Sequence, residues 1–584
     1  LRPFDQGIPP HSTSVLRLLR PGPRPAAALA AAIAAATALP LAAPQITRRF
    51  VDDAIGGASI RHLTLIAIGY LALAVAGQAA RMVTAWLASR LAWDGTNRLR
   101  ERLAGHALGL DLAYHGRHTP GEMIERVDGD VVAVADFVVA FLLDVVASVL
   151  LLAGVVVVVF GVDWRIGGAL LAYCVLIGYG MARAQRAAVP SAARSRAASA
   201  TLFGTLDERL AGAEDLRANG AGAHAVHRLH QVSAALFRAE HRDARVGTML
   251  LAGTSVAFAA GTAIMLGLAA WAMSAGTLTV GTAVLLFQYT LMVRAPFERL
   301  IDQIREYQAA LAGLARIGGL LAERRTLREP ARPRPLPTTG PLGLRLDGVS
   351  FAYPGDDEQV LSGVTLTLAP GETLGLVGRT GSGKTTLARL VLRLYDPVEG
   401  AVTVGGVDLR EADPASLRRR MCVVTQDVQL FAASVRDNLT LFRPPPFRPD
   451  DDRLREILDG VGLGDWLAAL PSGLDTELRG VSAGEAQLIA FARAFLAHPG
   501  LVVLDEASSR LDPATERRIE QSIDRLLGGR TGVIIAHRLS SLSRVDKIAV
   551  LEHGKIIEYG RRADLAADPG SRYGRLLDLA GVGR

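Results

Sequence analysis

The residues Gly378-Arg379-Thr380-Gly381-Ser382-Gly383-Lys384-Thr385, with Thr386 following, have the composition and spacing of a phosphate-binding loop. Glycines let successive backbone N–H groups converge on phosphate oxygens, and the helix that follows adds the positive end of its dipole. Lys384 neutralises the terminal phosphates and Thr385 offers a hydroxyl to magnesium. Farther along, Leu501-Val502-Val503-Leu504-Asp505-Glu506 is an apolar run ending in two carboxylates. Phosphoryl transfer needs a metal ligand and a water-positioning group beside the same phosphates. Asp505 suits the first role and Glu506, as a general base, the second.

These residues need elements to hold them. Residues 373–377 read as a strand ahead of the loop and 386–394 as a helix behind it, while 501–504 read as a buried strand delivering acids to its C-terminal edge. The C-terminal part is therefore expected to be an α/β unit.

The earlier part of the chain is different in kind. Half of the 584 residues are apolar, and long Ala/Val/Leu runs concentrate ahead of a more charged, Gly/Pro-punctuated region. Apolar stretches near 26–46, 63–82, 137–160, 166–183, 249–273 and 278–294 are each about long enough to cross a bilayer. The first is Ala-rich and carries Pro40, so a soluble helix is its alternative. Arg2, Arg17 and Arg20 precede it without a cleavable-signal pattern, which reads as a retained first span. The chain begins at Leu1 and not Met, so a few native residues are expected to precede it.

Connections at 53–61, 161–165 and 274–277 are short, whereas 83–136 and 184–247 are long and hold Arg90, Arg98, Arg100, Arg102, Arg117, Arg186 and Arg194. The positive-inside rule puts the long loops and both termini in the cytoplasm of a bacterial-type inner membrane. The loops have few helix breakers, so the spans are expected to continue as helices beyond the bilayer. The +7 net charge fits loops facing anionic membrane lipids better than it fits nucleic acid. Cys174 and Cys422 give no disulfide framework and read as inert packing residues. Arg81, Asp144 and Arg294 lie within spans towards the cytoplasmic side, where they either touch a substrate or reach water. Residues 328–337 are Pro-rich and charged, an extended linker by composition. The expected organisation is multidomain: an all-α six-helix transmembrane domain over 1–322, a linker over 323–340 and an α/β P-loop domain over 341–584.

Further motifs give this order a family. Tyr353 stands ahead of the phosphate loop in Val349-Ser350-Phe351-Ala352-Tyr353-Pro354, Gln426 follows a strand-like run, and His537 follows Ile534-Ile535-Ala536. Ser509-Arg510-Leu511-Asp512 comes just after the paired carboxylates, and Val481-Ser482-Ala483-Gly484-Glu485 precedes them. Together with the spans, these motifs make the chain similar to ATP-binding cassette (ABC) proteins of the exporter type, over nearly its whole length. The resemblance implies that Tyr353 stacks on adenine, that Gln426 reaches magnesium and the attacking water, and that His537 contacts the terminal phosphate. It also implies that Asp512 lies on a loop crossing a dimer of cassettes. Ser482, Gly484 and Glu485 would meet a nucleotide held by the partner.

The family's usual signature is Leu-Ser-Gly-Gly-Gln, so Ala483 and Glu485 are departures. Glu485 adds a carboxylate near the incoming phosphate and Ala483 removes backbone freedom, so that site is expected to be slower. Asp475-Thr476-Glu477-Leu478-Arg479-Gly480 also looks shorter than the corresponding family segment. The resemblance implies two chains sandwiching two ATP molecules, each with Mg2+. A heterodimer is favoured over a homodimer, because Glu506, Gln426 and His537 are intact while the signature is altered. Segments near 112–118 and 212–219 would press on the cassettes. ATP-driven export of a small or amphipathic, lipid-like substrate is the expected function. An exporter-fold importer or lipid flippase is the alternative, and an ATP-gated channel or sensor a more distant one.

Overall fold

The computed structural model describes residues 22–356, 358–444, 448–505, 513–536 and 539–580. Two compact units emerge. One comprises Pro120–Glu323 with the chain up to Leu108, and the other comprises Gly109–Thr119 with the chain from Arg324 onward.

The membrane unit is built on α1 (Pro23–Ile55), α2 (Ile60–Gly109), α4 (Pro120–Val162), α5 (Trp164–Ala211), α7 (Gly222–Ser274), α8 (Val280–Met292) and α9 (Arg294–Ala322). Short helices α3 (Leu112–His115) and α6 (Ala213–Ala218) stand in the two long connections. Six helical stretches among the described residues are long and apolar enough to cross a membrane, at the places expected from hydropathy. Four of them run well beyond a bilayer's thickness, so the expected cytoplasmic extensions are present.

Local chemistry sets the helix ends. The Asp163 carboxylate accepts the backbone N–H groups of Arg165 and Ile166 at 2.7 and 3.3 Å, which fixes the start of α5. Thr279 caps α8 through the Thr282 N–H at 3.2 Å. Asp52 of α1 accepts from the Gly281 N–H and the Thr279 hydroxyl, both at 2.9 Å, and so pins α1 to that outer turn. Helix α1 stays continuous through Pro40 and Pro44, as spanning helices tolerate. The sixth span is interrupted at Val293, because Pro296 has no N–H to return to the Met292 carbonyl.

Val155, Leu170, Leu285, Leu286 and Tyr289 form the apolar centre of the unit. Leu71, Val157, Leu176 and Val256 stay exposed on outer faces, as lipid-facing residues do. Below the membrane, Asp130 of α4 is 1% exposed and accepts from Arg316 Nε of α9 at 2.9 and 3.1 Å.

The second unit holds two sheets. Strands β1 (Leu344–Phe351), β2 (Leu361–Leu368), β4 (Glu399–Val404) and β5 (Val407–Asp408) form an antiparallel sheet in the order β2-β1-β4-β5. Strands β3 (Thr373–Val377), β6 (Met421–Val424), β7 (Leu501–Asp505), β8 (Thr531–Ile535), β9 (Lys547–Glu552) and β10 (Lys555–Arg561) form the larger one, in the order β10-β9-β3-β8-β7-β6. All of its pairings are parallel except β9 with β10. The run read as an extended linker is docked: Leu336 is 2% exposed, and Arg334 exchanges backbone hydrogen bonds with Glu411 and Asp413 at 2.9 and 2.8 Å.

Candidate nucleotide-binding site

The C-terminal ends of β3, β7 and β6 bring the sequence-predicted residues to one edge of the larger sheet. Every residue of β3 is buried, and the chain leaves it at Gly378 to enter α10 (Lys384–Val391). A Cβ on Gly378 would sit 2.3 Å from the Leu551 carbonyl oxygen, and Gly383 has φ +102°, so both positions require glycine. Lys384 is 5% exposed and its Nζ donates to the carbonyls of Gly378 and Arg379 at 2.7 and 3.0 Å. Burial pushes its pKa down, partly opposed by the Asp505 carboxylate. The Ser382 hydroxyl is buried and has no partner among the described residues. A buried hydroxyl without a described partner inside a glycine-rich loop fits donation to a phosphate oxygen.

Asp505 ends β7. Burial raises its pKa, while the positive charges of Lys384 and Arg389 and a hydrogen bond from Thr385 act in the opposite sense. Register sets Val424 of β6 beside Leu504 of β7, so Gln426, which is exposed, follows at the same edge as Asp505. The hydroxyl of Thr385, the carboxylate of Asp505 and the amide of Gln426 are oxygen donors of the kind magnesium takes. Glu506, Asp512 and His537 lie outside the described residues, as do Ser509 and Arg510.

Tyr353 packs edge-on against Phe351 and Tyr395, with ring centroids 5.0 and 5.3 Å away. Its hydroxyl hydrogen-bonds Thr386 Oγ1 and accepts from Arg389 Nη1, both at 2.9 Å. The anchor Arg389 went unread in the sequence. Its signal was position alone, on the face of α10 turned towards Tyr353. Tyr395 lies in the same apolar cluster as Ala113 of α3, which is 5% exposed. Asp111, which precedes α3, accepts from the Thr326 N–H and hydroxyl at 2.5 and 2.7 Å. Burial alone would raise the Asp111 pKa, but these bonds and those from Leu327 and Tyr114 hold it low. Of the two segments expected to press on the cassettes, 112–118 thus belongs to the cassette unit, whereas α6 belongs to the membrane unit and buries no residue.

Ser482 caps α11 (Ala483–Ala497) in a reciprocal box with Glu485. The Glu485 carboxylate accepts the Ser482 N–H at 2.9 Å and its hydroxyl at 2.7 Å. The segment 475–480 before it is stitched to the chain after Gln426 by backbone bonds from Val435 to Thr476 and from Leu478 to Ala433, both 2.9 Å.

Family models agree with this geometry. The ABC transporter domain matches residues 361–509, and the ABC transporter transmembrane region matches 27–297. Over 529 residues, 89% of each chain, the protein is 32% identical to an ATP-dependent lipid A-core flippase of Thiobacillus denitrificans. The chain belongs to the ABC transporter family. This ABC transporter is a multi-pass membrane protein with a cytoplasmic, ATP-binding ATPase domain, and it couples ATP hydrolysis to transport across the membrane. It is also 31% identical over 585 residues to a multidrug efflux ATP-binding/permease protein of Mycobacterium bovis, of which it spans 48%. Its fold is that of a solved bacterial Atm1-family ABC exporter with ATP bound, at a TM-score of 0.78, 24% identity, and coverage of 96% of this chain and 98% of that one.

Proposed function

We propose that residues 1–322 form the translocation domain, 323–340 the joint and 341–584 the ATPase of a half-transporter that works only when paired with a second half. Tyr353 stacks on adenine, and Gly378 to Thr386 wrap the phosphates around Lys384. Thr385, Asp505 and Gln426 would hold a magnesium ion, which offsets charge on the phosphates when bound. Glu506 takes a proton from water as that water attacks the terminal phosphorus. The bond to the bridging oxygen breaks, ADP and inorganic phosphate leave, and His537 steadies the terminal phosphate in the meantime. Ser482, Gly484 and Glu485 face a nucleotide held by the partner, and Asp512 crosses to it. Binding closes the cassettes and hydrolysis reopens them, and the helical extensions turn that motion into a change of cavity access.

Pairing with a different half is favoured by one observation: the Ser482 hydroxyl and N–H are both engaged by the Glu485 carboxylate. This chain then hydrolyses ATP at its own loop against an intact partner signature, while the site its own signature completes turns over slowly. The Mycobacterium bovis relative, about twice as long, supports the idea of two joined halves. The multidrug efflux relative and the lipid A-core flippase support an amphipathic small molecule or lipid as cargo, moved outward or between leaflets.

Purification of the chain alone, followed by magnesium-dependent ATPase and vesicle transport assays, tests this reading. Weak hydrolysis alone that rises on adding the co-purifying half is expected. A stable dimer of this chain with full activity would overturn the heterodimer.

A further inference from the structure

Among the described residues of the membrane unit, Asp144, Gln303 and Ser148 are neighbouring polar side chains to which neither the fold nor the ATPase gives a role. Asp144 sits in the π-helical turn Phe141–Val146 of α4, a local irregularity of the kind found at functional sites. Its one partner among the described residues is the Gln303 amide of α9, whose Nε2 donates to Asp144 Oδ2 at 3.3 Å. The Gln303 side-chain carbonyl oxygen is buried and accepts from no described residue. One turn outward along α4, Ser148 is 2% exposed and its hydroxyl also lacks a partner.

The other two in-span charges expected from the sequence, Arg81 and Arg294, are exposed, unlike Asp144. Arg81 donates to Gln78 at 2.6 Å, and Arg294 pairs with Glu298 at 2.7 Å while lying over the Phe258 ring. Among the described residues Asp144 is thus a partly buried membrane carboxylate with no cation beside it, next to buried polar atoms without a partner.

An aromatic group lies immediately inward. The Phe137 ring is 5.7 Å from Phe141 and 5.5 Å from Tyr307, and Phe141 and Tyr307 are 42% and 49% exposed. At about 1.5 Å per residue, Asp144 lies roughly 27 Å from the outer end of α4, close to the inner boundary of the bilayer core. A carboxylate, free acceptors and open ring faces suit a cation that carries N–H donors, and its apolar remainder would lie in lipid or among the helices.

We propose that Asp144, Gln303 and Ser148, with the rings of Phe137, Phe141 and Tyr307, form a subsite for the protonated amine of an amphipathic substrate at the level of the inner leaflet. The proposal rests on the transporter reading given above and names its substrate class.

The test measures binding and turnover separately, on the full transporter with its co-purifying half in lipid nanodiscs. The probes are dodecylamine and its uncharged counterpart dodecanamide. Dodecylamine should bind saturably and more tightly than dodecanamide. Asp144→Asn should weaken dodecylamine at least ten-fold while leaving dodecanamide within two-fold. Phe141→Ala, which removes no charge, should weaken dodecylamine about three-fold and covers the case in which the Asp144 variant fails to assemble. Equal loss for both probes, or no loss in either variant, overturns the subsite. Asp144-dependent binding without any ATP hydrolysis keeps the subsite and overturns the transport reading. Hydrolysis stimulated equally by both probes does the reverse.

Discussion

The hydroxyl of Ser482 donates to the Glu485 carboxylate at 2.7 Å, and the N–H of the same serine donates to it at 2.9 Å. On the proposed reading, a phosphate held by the partner has to displace an anion already seated on those donors. Glu485→Gln keeps a side chain able to cap the helix but removes the charge. The variant should raise ATP turnover of the assembled transporter several-fold, the scale of an exposed charge interaction of about 1 kcal/mol. An unchanged rate, with the capped helix intact by circular dichroism, would mean that Glu485 does not compete.

Ser382 offers a test with opposite signs in two states. Its hydroxyl is buried without a partner among the described residues, so Ser382→Ala should leave the protein without nucleotide as stable as before or more stable, by up to about 1–3 kcal/mol. The same change removes a donor from the phosphates. The gain in melting temperature on adding ATP should therefore shrink. A variant that loses stability without nucleotide would mean the hydroxyl already has a partner.

Asp130 is buried and Arg316 is its cation, while the arginine is half exposed. Removing each partner should therefore cost differently. Arg316→Ala strands a carboxylate and should destabilise by several kcal/mol, on the order of 3. Asp130→Asn combined with Arg316→Ala should recover part of that loss. A thermal-unfolding cycle reads the difference, and equal losses in the single and double variants would contradict an electrostatic origin.

Burial pushes the Cys422 thiol up to about 11 from 9, despite an opposing backbone hydrogen bond. Because the folded protein holds this proton more tightly, the thiol's contribution to stability is complete below pH 9 and is lost as pH rises towards 11. In a Cys174→Ser background, Cys422 should resist maleimide at pH 7.5 in the native protein and react once unfolded. Prompt labelling of the native state would refute the assignment.

How much of this was readable beforehand follows from the range of each interaction. The six spans were legible because lipid demands long apolar runs, and the phosphate loop because its backbone demands glycine at fixed spacing. The partner of Asp130 was not, since Arg316 comes from a helix far away in sequence and neither residue differs in type from the solvated charges around it. The π turn at Phe141–Val146 left no trace either. It differs from an α-helix by one step in hydrogen bonding and has no composition of its own. Glu485 was legible as a departure, but its geometry was not: the carboxylate turns back onto Ser482, a choice set by capping that the residue type alone does not announce. Leu336 reads as linker because proline and charge surround it, yet its burial and the backbone bonds of Arg334 anchor that run.

Residues Gly109–Thr119 lie between two helices of the membrane unit in the chain, yet they fold with the ATPase and give it Ala113 as a core residue. Cutting the gene at the linker therefore does not yield a complete enzyme. A fragment starting at Arg324 would expose the apolar seat of α3 and leave the backbone of Thr326 and Leu327 without the Asp111 carboxylate. Such a fragment should be prone to self-association, and a synthetic peptide spanning the missing loop should restore its solubility in trans.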